Sequence, residues 1–250
     1  MKRWDINTLV GHWPFRYIRK NTLEDLIQLH TAHGITGGFV ASLDSIFYND
    51  PLEGDRSLAR MLEGSGYQMA ATINPKLPAL EENVEEVVRL GAKAVRIYPS
   101  YHGYTLEDAD FVRLCRILEA RNIPLFLCMR MEDERLEYLI RPGVISLIPL
   151  EWIAKQMPGL RIVLLNVRQN ELEGISSWRP SASNVFFDTS GLKNNSFAIE
   201  KALERFGSEH VVFGSQWPMN CFASTWLKIE QAQCPETEKD RFYANITKLL

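Results

Sequence analysis

Hydrophobic positions along this chain follow two alternating rhythms. Short, nearly continuous apolar runs at Gly38 to Ser42, Met69 to Asn74, Ala94 to Tyr98, Leu125 to Cys128, Arg161 to Asn166, Val185 to Asp188 and Val211 to Gly214 read as strands buried on both faces. Trp4 to Asn7 adds a short first strand, followed by a loop rich in Gly, Pro and aromatics from Leu9 to Tyr17. Between the runs, apolar residues recur every three or four positions, the spacing of one helix face. Thr22-Leu-Glu-Asp25 has the form of a capping box and predicts a helix ending at Gly34. Further helices are predicted over Ser57 to Glu63, Leu80 to Leu90 and Phe197 to Phe206, each followed by glycine, with a last one from Pro235. A second box, Thr105-Leu-Glu-Asp108, opens a helix that puts Phe111, Leu114, Cys115 and Leu118 on one face and ends near Asn122. Cys115 is therefore core packing.

Two stretches depart from the alternation. Val144 to Leu150 fits either an extra strand or the start of a helix, and a helix from Pro149 through Trp152 to Met157 is favoured. Val167 to Asn184 has no helical period and reads as a long loop. Parallel strands covered by helices, eight in 250 residues, predict an α/β fold of the closed (β/α)8 TIM-barrel type, with a single domain over 1–250. The alternative, an open doubly wound sheet, lacks a GxGxxG or P-loop signature.

Composition narrows the partners. A formal net charge of -3 and a pI near 6.0, without a long basic run, argue against nucleic acid and leave a small-molecule ligand. The four cysteines, Cys115, Cys128, Cys221 and Cys234, form no CxxC pair, so they read as reduced thiols. The N-terminus carries no signal-peptide pattern, and no run approaches the ~18 apolar residues of a membrane span. A cytoplasmic protein without membrane contact is expected, and a homo-oligomer is compatible with this.

In a parallel barrel the strand ends converge on one mouth. Here they are Asn7, Ser42, Asn74, Tyr98, Cys128, Asn166, Asp188 and Gln216, with Asp188 the one carboxylate. Arg130 and Arg168 stand two residues beyond Cys128 and Asn166, on the same side if the strands extend that far. With Arg96 and Arg16 and the amides Asn7, Asn166 and Gln216, they suit a small anion held by forked hydrogen bonds. An equally weighted reading has these arginines pairing with Asp5, Asp188 and Glu171 to hold loops. Tyr98 and His102, in and beside Ser100-Tyr-His-Gly-Tyr104, offer ligand or proton contacts. Trp13, Tyr101 and Trp217 offer pocket walls or plain loop packing. His30 and His33 read as surface or helix-end residues, and His210 as structural at the opposite mouth.

The chain resembles the amidohydrolase-related branch of the amidohydrolase superfamily. The resemblance rests on Asp5-Ile-Asn-Thr-Leu9, Gly91-Ala-Lys-Ala-Val-Arg-Ile-Tyr-Pro99, Asn122-Ile-Pro-Leu-Phe-Leu-Cys128, Pro158-Gly-Leu-Arg-Ile-Val-Leu-Leu-Asn166, Phe187-Asp-Thr-Ser190, Phe213-Gly-Ser-Gln-Trp-Pro218 and Asn245-Ile-Thr-Lys-Leu-Leu250. It implies hydrolysis, lactone opening or decarboxylation, usually with a divalent metal. The positions where the family has metal-binding histidines carry Asn7, Leu9, Cys128 and Asn166, and Gln216 replaces an aspartate. Neutral amides are poor ligands for a catalytic zinc, and leucine is none. No metal or other cofactor is therefore expected, a zinc-like ion entering only if its ligands have moved elsewhere. A metal-independent enzyme would need His102, Asp188 or Cys128 as acid, base or nucleophile, the first two foremost. The alternative is a non-catalytic binding barrel or partner subunit.

Overall fold

The computed structural model describes residues 2–136, 139–174, 184–193 and 197–250. Its strands are β1 (Trp4–Val10), β2 (Gly37–Ser42), β3 (Gln68–Thr72), β4 (Ala94–Ile97), β5 (Leu125–Cys128), β6 (Ile162–Leu165), β7 (Val185–Asp188) and β8 (Val211–Val212). They pair in chain order, each parallel to the next. The ring closes beyond the short β8. The Ile6 amide donates to Phe213 O (2.9 Å), Leu9 to Trp217 O (2.8 Å) and Gln216 to Asn7 O (2.7 Å). The chain is thus an eight-stranded parallel barrel alternating with helices.

Alternation along each strand splits the core in two. Ile6, Phe39, Ala70, Ala94, Phe126, Val163, Phe186 and Val212 fill the barrel interior. Val40, Val95, Leu127, Leu164 and Phe187 face outward against the helices. Burying each such large apolar side chain contributes roughly 1.5–3 kcal/mol, so both layers specify the register. The interior is apolar up to the strand ends, where Leu9, Leu43, Ile46, Trp13, Met131 and Met219 are buried together.

The helices are α1 (Leu23–Ala32), α2 (Pro51–Leu62), α3 (Leu80–Arg89), α4 (Pro99–His102), α5 (Ala109–Ala120), α6 (Ile148–Gln156), α7 (Gln169–Glu173), α8 (Ala198–Phe206), α9 (Phe222–Glu230) and α10 (Glu236–Ala244). The Thr22 capping box of α1 is present as read. Four elements differ from the pattern reading. Strand β1 runs on to Val10, through the start of the loop expected from Leu9 to Tyr17, because Leu9 and Val10 are buried and pair with Ala41 and Ser42 of β2. Helix α2 starts six residues before Ser57, because Asp50 accepts the Leu52 amide (3.0 Å) and Pro51 takes the first turn, where no amide is needed. Helix α5 starts at Ala109, since the Thr105 amide is bound by Asp108 (2.8 Å) in a turn that precedes it. The expected loop Val167 to Asn184 contains α7, and its 175–183 portion lies outside the described residues. The helical turn α4 and helix α9 were not foreseen. The ambiguous run before Met157 is helical.

His30 is also corrected. It lies on the barrel-facing side of α1, fully buried, with Nδ1 2.9 Å from the Tyr67 hydroxyl and Nε2 3.4 Å from Asp5 Oδ2. A polar residue fits that face because Asp5 and Tyr67 are there to meet it. Among the described residues, no helix is long and apolar enough to cross a membrane.

Candidate anion-binding site at the barrel mouth

The polar strand-end residues are bonded chiefly to one another. Asp188, fully buried, accepts from Asn7 Nδ2 (2.7 Å) and Ser190 Oγ (2.7 Å) through one oxygen and from the Asn166 amide (2.8 Å) through the other. The carbonyl of Arg130 receives both Asn166 Nδ2 (3.0 Å) and Gln216 Nε2 (3.0 Å). Gln216 reaches Met131 O as well (2.9 Å), while its own oxygen accepts from Asn220 Nδ2 (2.7 Å). Asn166 and Gln216 both have φ 56°. That left-handed conformation is tolerated by asparagine but uncommon for glutamine, and here it accompanies bonds that fix both amides across the mouth.

Two local features make this network fit. Gly214 allows the chain after β8 to pass Asp188, since a Cβ there would lie 2.4 Å from Asp188 Oδ2. Burial pushes the Asp188 carboxyl up to about 6 although three hydrogen bonds pull it down. Desolvation outweighs the donors because they carry no full charge.

Arg96 and Tyr98 lie deeper, on the inward side of β4 and just beyond it. Both are fully buried, with the guanidinium 5.3 Å from the Tyr98 ring centroid and its terminal nitrogen 3.8 Å from Cys128 Sγ. Burial opposes the Arg96 charge, but Tyr98, Cys128 and Asp188 reinforce it, and its pKa is raised. Cys128 is capped: its thiol lies 3.4 Å from Arg130 O and 3.5 Å from Met131 Sδ, and burial pushes its pKa up despite Arg96 and Arg130. A protonated, covered thiol is a poor nucleophile.

The remaining candidates are dispersed. His102, on α4, bonds Ile46 O through Nε2 (3.0 Å), and burial lowers its pKa. The bonds of Asp188 run to Asn7, Ser190 and Asn166, so His102 and Asp188 share none. Arg16 is bound to Glu132 (2.5 Å) and Met219 O (3.0 Å) and, like Trp217, lines a different surface hollow beside Tyr17 and Cys221. Trp13 is buried edge-on against Phe15, Phe47 and Tyr101.

Above this layer lies a cavity of about 370 Å³, lined by Ser100, Tyr101, Met129, Arg130, Met131, Arg141, Pro142, Gly143, Val144, Ile145, Arg168 and Glu171. Arg130 belongs to both levels. Its carbonyl anchors Gln216 and Asn166, while its guanidinium lines the cavity, donates to Asn166 O (2.5 Å) and pairs with Glu171. Glu171 also holds the Arg168 amide (2.8 Å). Loop pairing and a cationic cavity thus coexist in the same arginines. Half-buried Lys193 donates to Asn220 Oδ1 (2.9 Å), and burial lowers its pKa while Asp188 and Asp133 favour its charge. Arg141, Lys193 and Asn220 were not singled out in the sequence. Only folding brings their loops to the mouth, and no motif marks them; Ser190, two residues past Asp188, was legible by strand spacing.

The divalent metal usual in the family that the chain resembles does not fit this donor set. Asn7, Asn166 and Gln216 are bonded to protein groups through their amide nitrogens, and Asn7 Oδ1 is buried without a partner among the described residues, but Leu9 is fully buried among apolar side chains and Cys128 faces a guanidinium. Among the described residues no three His, Cys, Asp or Glu side chains are grouped to hold a metal ion.

The barrel is similar to several solved structures. 5-Carboxyvanillate decarboxylase from Sphingomonas paucimobilis matches with TM-score 0.77 and 15% identity over 99% of this chain and 98% of that one. A dihydroxybenzoic acid decarboxylase from Polaromonas sp. JS666, with bound manganese, matches with TM-score 0.74 and 14% identity over 99% and 96%. A probable 2-pyrone-4,6-dicarboxylic acid hydrolase from Acinetobacter baumannii, with citric acid bound, matches with TM-score 0.69 and 13% identity over 100% and 99%. At such identities the likeness carries the fold alone. No curated protein matches the chain in sequence. Residues 55–249, from within α2 to the C-terminal turn, match the Amidohydrolase family model, and the chain belongs to that family.

Proposed function

We propose that this barrel binds a small organic anion, a carboxylate in the first instance, in the cavity over β4 to β6, and that it does so as a binding protein rather than as a metal-dependent hydrolase. The observation that carries this reading is the placement of Arg130, Arg141 and Arg168 on one cavity with Glu171 as the one carboxylate among its lining residues. Three guanidiniums against one carboxylate leave a positive excess, and a planar fork suits a carboxylate better than a point charge would. Met129, Met131, Val144 and Ile145 supply an apolar wall for the rest of such a molecule. The strand-end groups that would do chemistry are turned to other partners: Asp188 to three donors, His102 to Ile46 O, Cys128 to Arg130 O and Met131.

Citrate, the molecule bound in the Acinetobacter hydrolase, is the first probe. Titration calorimetry of the purified chain is expected to show saturable one-site binding, weakening as salt is raised. No heat at millimolar citrate, succinate and benzoate would reject the proposal. A metal-independent hydrolase, lactonase or decarboxylase is the second reading, favoured by one observation: the Asp188 carboxyl is buried and pushed up to about 6, where an acid–base group works near neutral pH. Release of carbon dioxide or of a hydrolysis product from any bound acid, lost in Asp188→Asn, would establish that reading instead.

A further inference from the structure

A second hollow, of about 520 Å³, opens on the outside of the barrel where the loop after β1 meets the segment leading from β8 into α9. It shares no lining residue with the cavity over β4 to β6. Three cations line it, Arg16, Arg19 and Lys20, and no carboxylate does. Arg16 is committed to the protein, its Nε to Glu132 (2.5 Å) and a terminal nitrogen to Met219 O (3.0 Å). Arg19 and Lys20 are exposed, and their side chains make no hydrogen bond or ion pair with a described residue. Half-buried Ile18 and Leu29 and buried Phe222 give the hollow an apolar wall, and Tyr17 adds a side chain that is 87% exposed. Cations without a counter-charge on an open, partly apolar hollow suit an anion that has an apolar body of its own.

We propose that this hollow is a second binding site, for a phosphomonoester carried on a small apolar group, an aryl phosphate being the simplest case. Charge sets the class. One exposed ion pair contributes little, so a monocarboxylate would gain almost nothing from Arg19 or Lys20. A phosphomonoester carries roughly 1.5–2 negative charges at pH 7 and can meet both cations, Lys20 as a point charge and Arg19 through its fork. The hollow is of small-molecule size, and a ring leaving water against Ile18, Leu29 and Phe222 supplies the rest of the binding. Citrate is all charge and has no such body, so the two sites sort anions by shape as well as by charge. Nothing here depends on the cavity over β4 to β6 binding a ligand.

Cys221 is a reporter already in place. It lines this hollow and is exposed, whereas Cys115 and Cys128 are buried and Cys234 lines a different hollow. Alkylation of the folded chain by iodoacetamide near neutral pH, followed peptide by peptide in a mass spectrometer, reads its accessibility. Phenyl phosphate in excess of its Kd is expected to slow alkylation of Cys221 about fivefold and to leave Cys234 as it is. Inorganic phosphate, phenol and citrate at the same concentration are expected to give little protection, since each lacks either the charge or the ring. The protection should vanish in the double variant Arg19→Gln, Lys20→Gln, whose substituted side chains are exposed and unbonded, so that its fold is kept; an unchanged Tm checks this. Four results would overturn the proposal: no slowing at millimolar phenyl phosphate, equal slowing of Cys234, undiminished protection in the double variant, or equal protection by inorganic phosphate or citrate, which would make the hollow a general anion surface.

Discussion

The strand-end layer and the cavity above it share Arg130 and are opposite in character. Below, nearly every polar side chain is committed: Asn7, Asn166, Gln216 and Asp188 bond to one another's segments, and apolar side chains fill the gaps. Above, guanidiniums line open space, and Arg141 is exposed. The difference teaches that a strand-end position fixes where a side chain stands and not what it bonds. Asn7, Asn166 and Gln216 tie neighbouring segments together at the strand ends, and the arginines on the loops beyond line the cavity.

Breaking the lower layer should have the largest effect. Asp188→Ala leaves three buried donors without their acceptor and is expected to cost about 3–5 kcal/mol in urea denaturation. Next comes pH. The Asp188 carboxyl, raised from 3.8 to about 6, binds its proton more tightly folded than unfolded. The folded state therefore holds the extra proton between pH 4 and 6, and stability should fall as pH rises through that window, by roughly 3 kcal/mol at about 1.4 kcal/mol per unit. Denaturation midpoints from pH 4 to 8 check this, and Asp188→Asn should remove that part. The remainder belongs to Asp55, raised to about 7 by burial against the opposing hydrogen bonds from Ser45 and the Thr72 amide, and should persist.

Gln216→Gly separates backbone from side chain at the layer's upper edge. Glycine accepts φ 56° without strain, so the expected loss of about 1–3 kcal/mol reports the bonds to Arg130 O, Met131 O and Asn220. The smallest effect should fall on the cavity, where Arg168→Gln is expected to weaken citrate binding about tenfold, close to 1.4 kcal/mol, with stability nearly unchanged. Arg16→Gln, which lies on another surface, should leave citrate binding as it is. Calorimetry on both variants sharpens the contrast: equal losses would merge the two surfaces, and a large stability loss in Arg168→Gln would make it part of the lower layer.

The residues that the structure gathers were unevenly legible. Asn7, Cys128, Asn166, Asp188 and Gln216 could be read together because each was placed at the end of a strand-like run, and strand ends in a parallel barrel share a mouth, although β1 continues past Asn7 to Val10. Arg130 and Arg168 followed from their place two residues further on. Arg16 and Trp217 reached a different hollow because the loops that carry them turn away over the surface, and no spacing rule governs a turn of that kind. Lys193 and Arg141 were missed for the complementary reason: their loops return to the mouth without a local pattern to say so.

By itself, then, the sequence determined the barrel and the family, because alternating apolar runs and helix-spaced stretches are local properties that repeat along the chain with the same meaning. It also placed amides at Asn7, Asn166 and Gln216, a thiol at Cys128 and a leucine at Leu9 around the strand ends. What those side chains do was decided only in three dimensions. An amide can serve a ligand or a neighbouring carbonyl equally well, and the choice depends on which partner the fold brings within about 3 Å. For Asn166 and Gln216 that partner is the Arg130 backbone, 36 and 86 residues away along the chain, a separation across which no sequence pattern reaches.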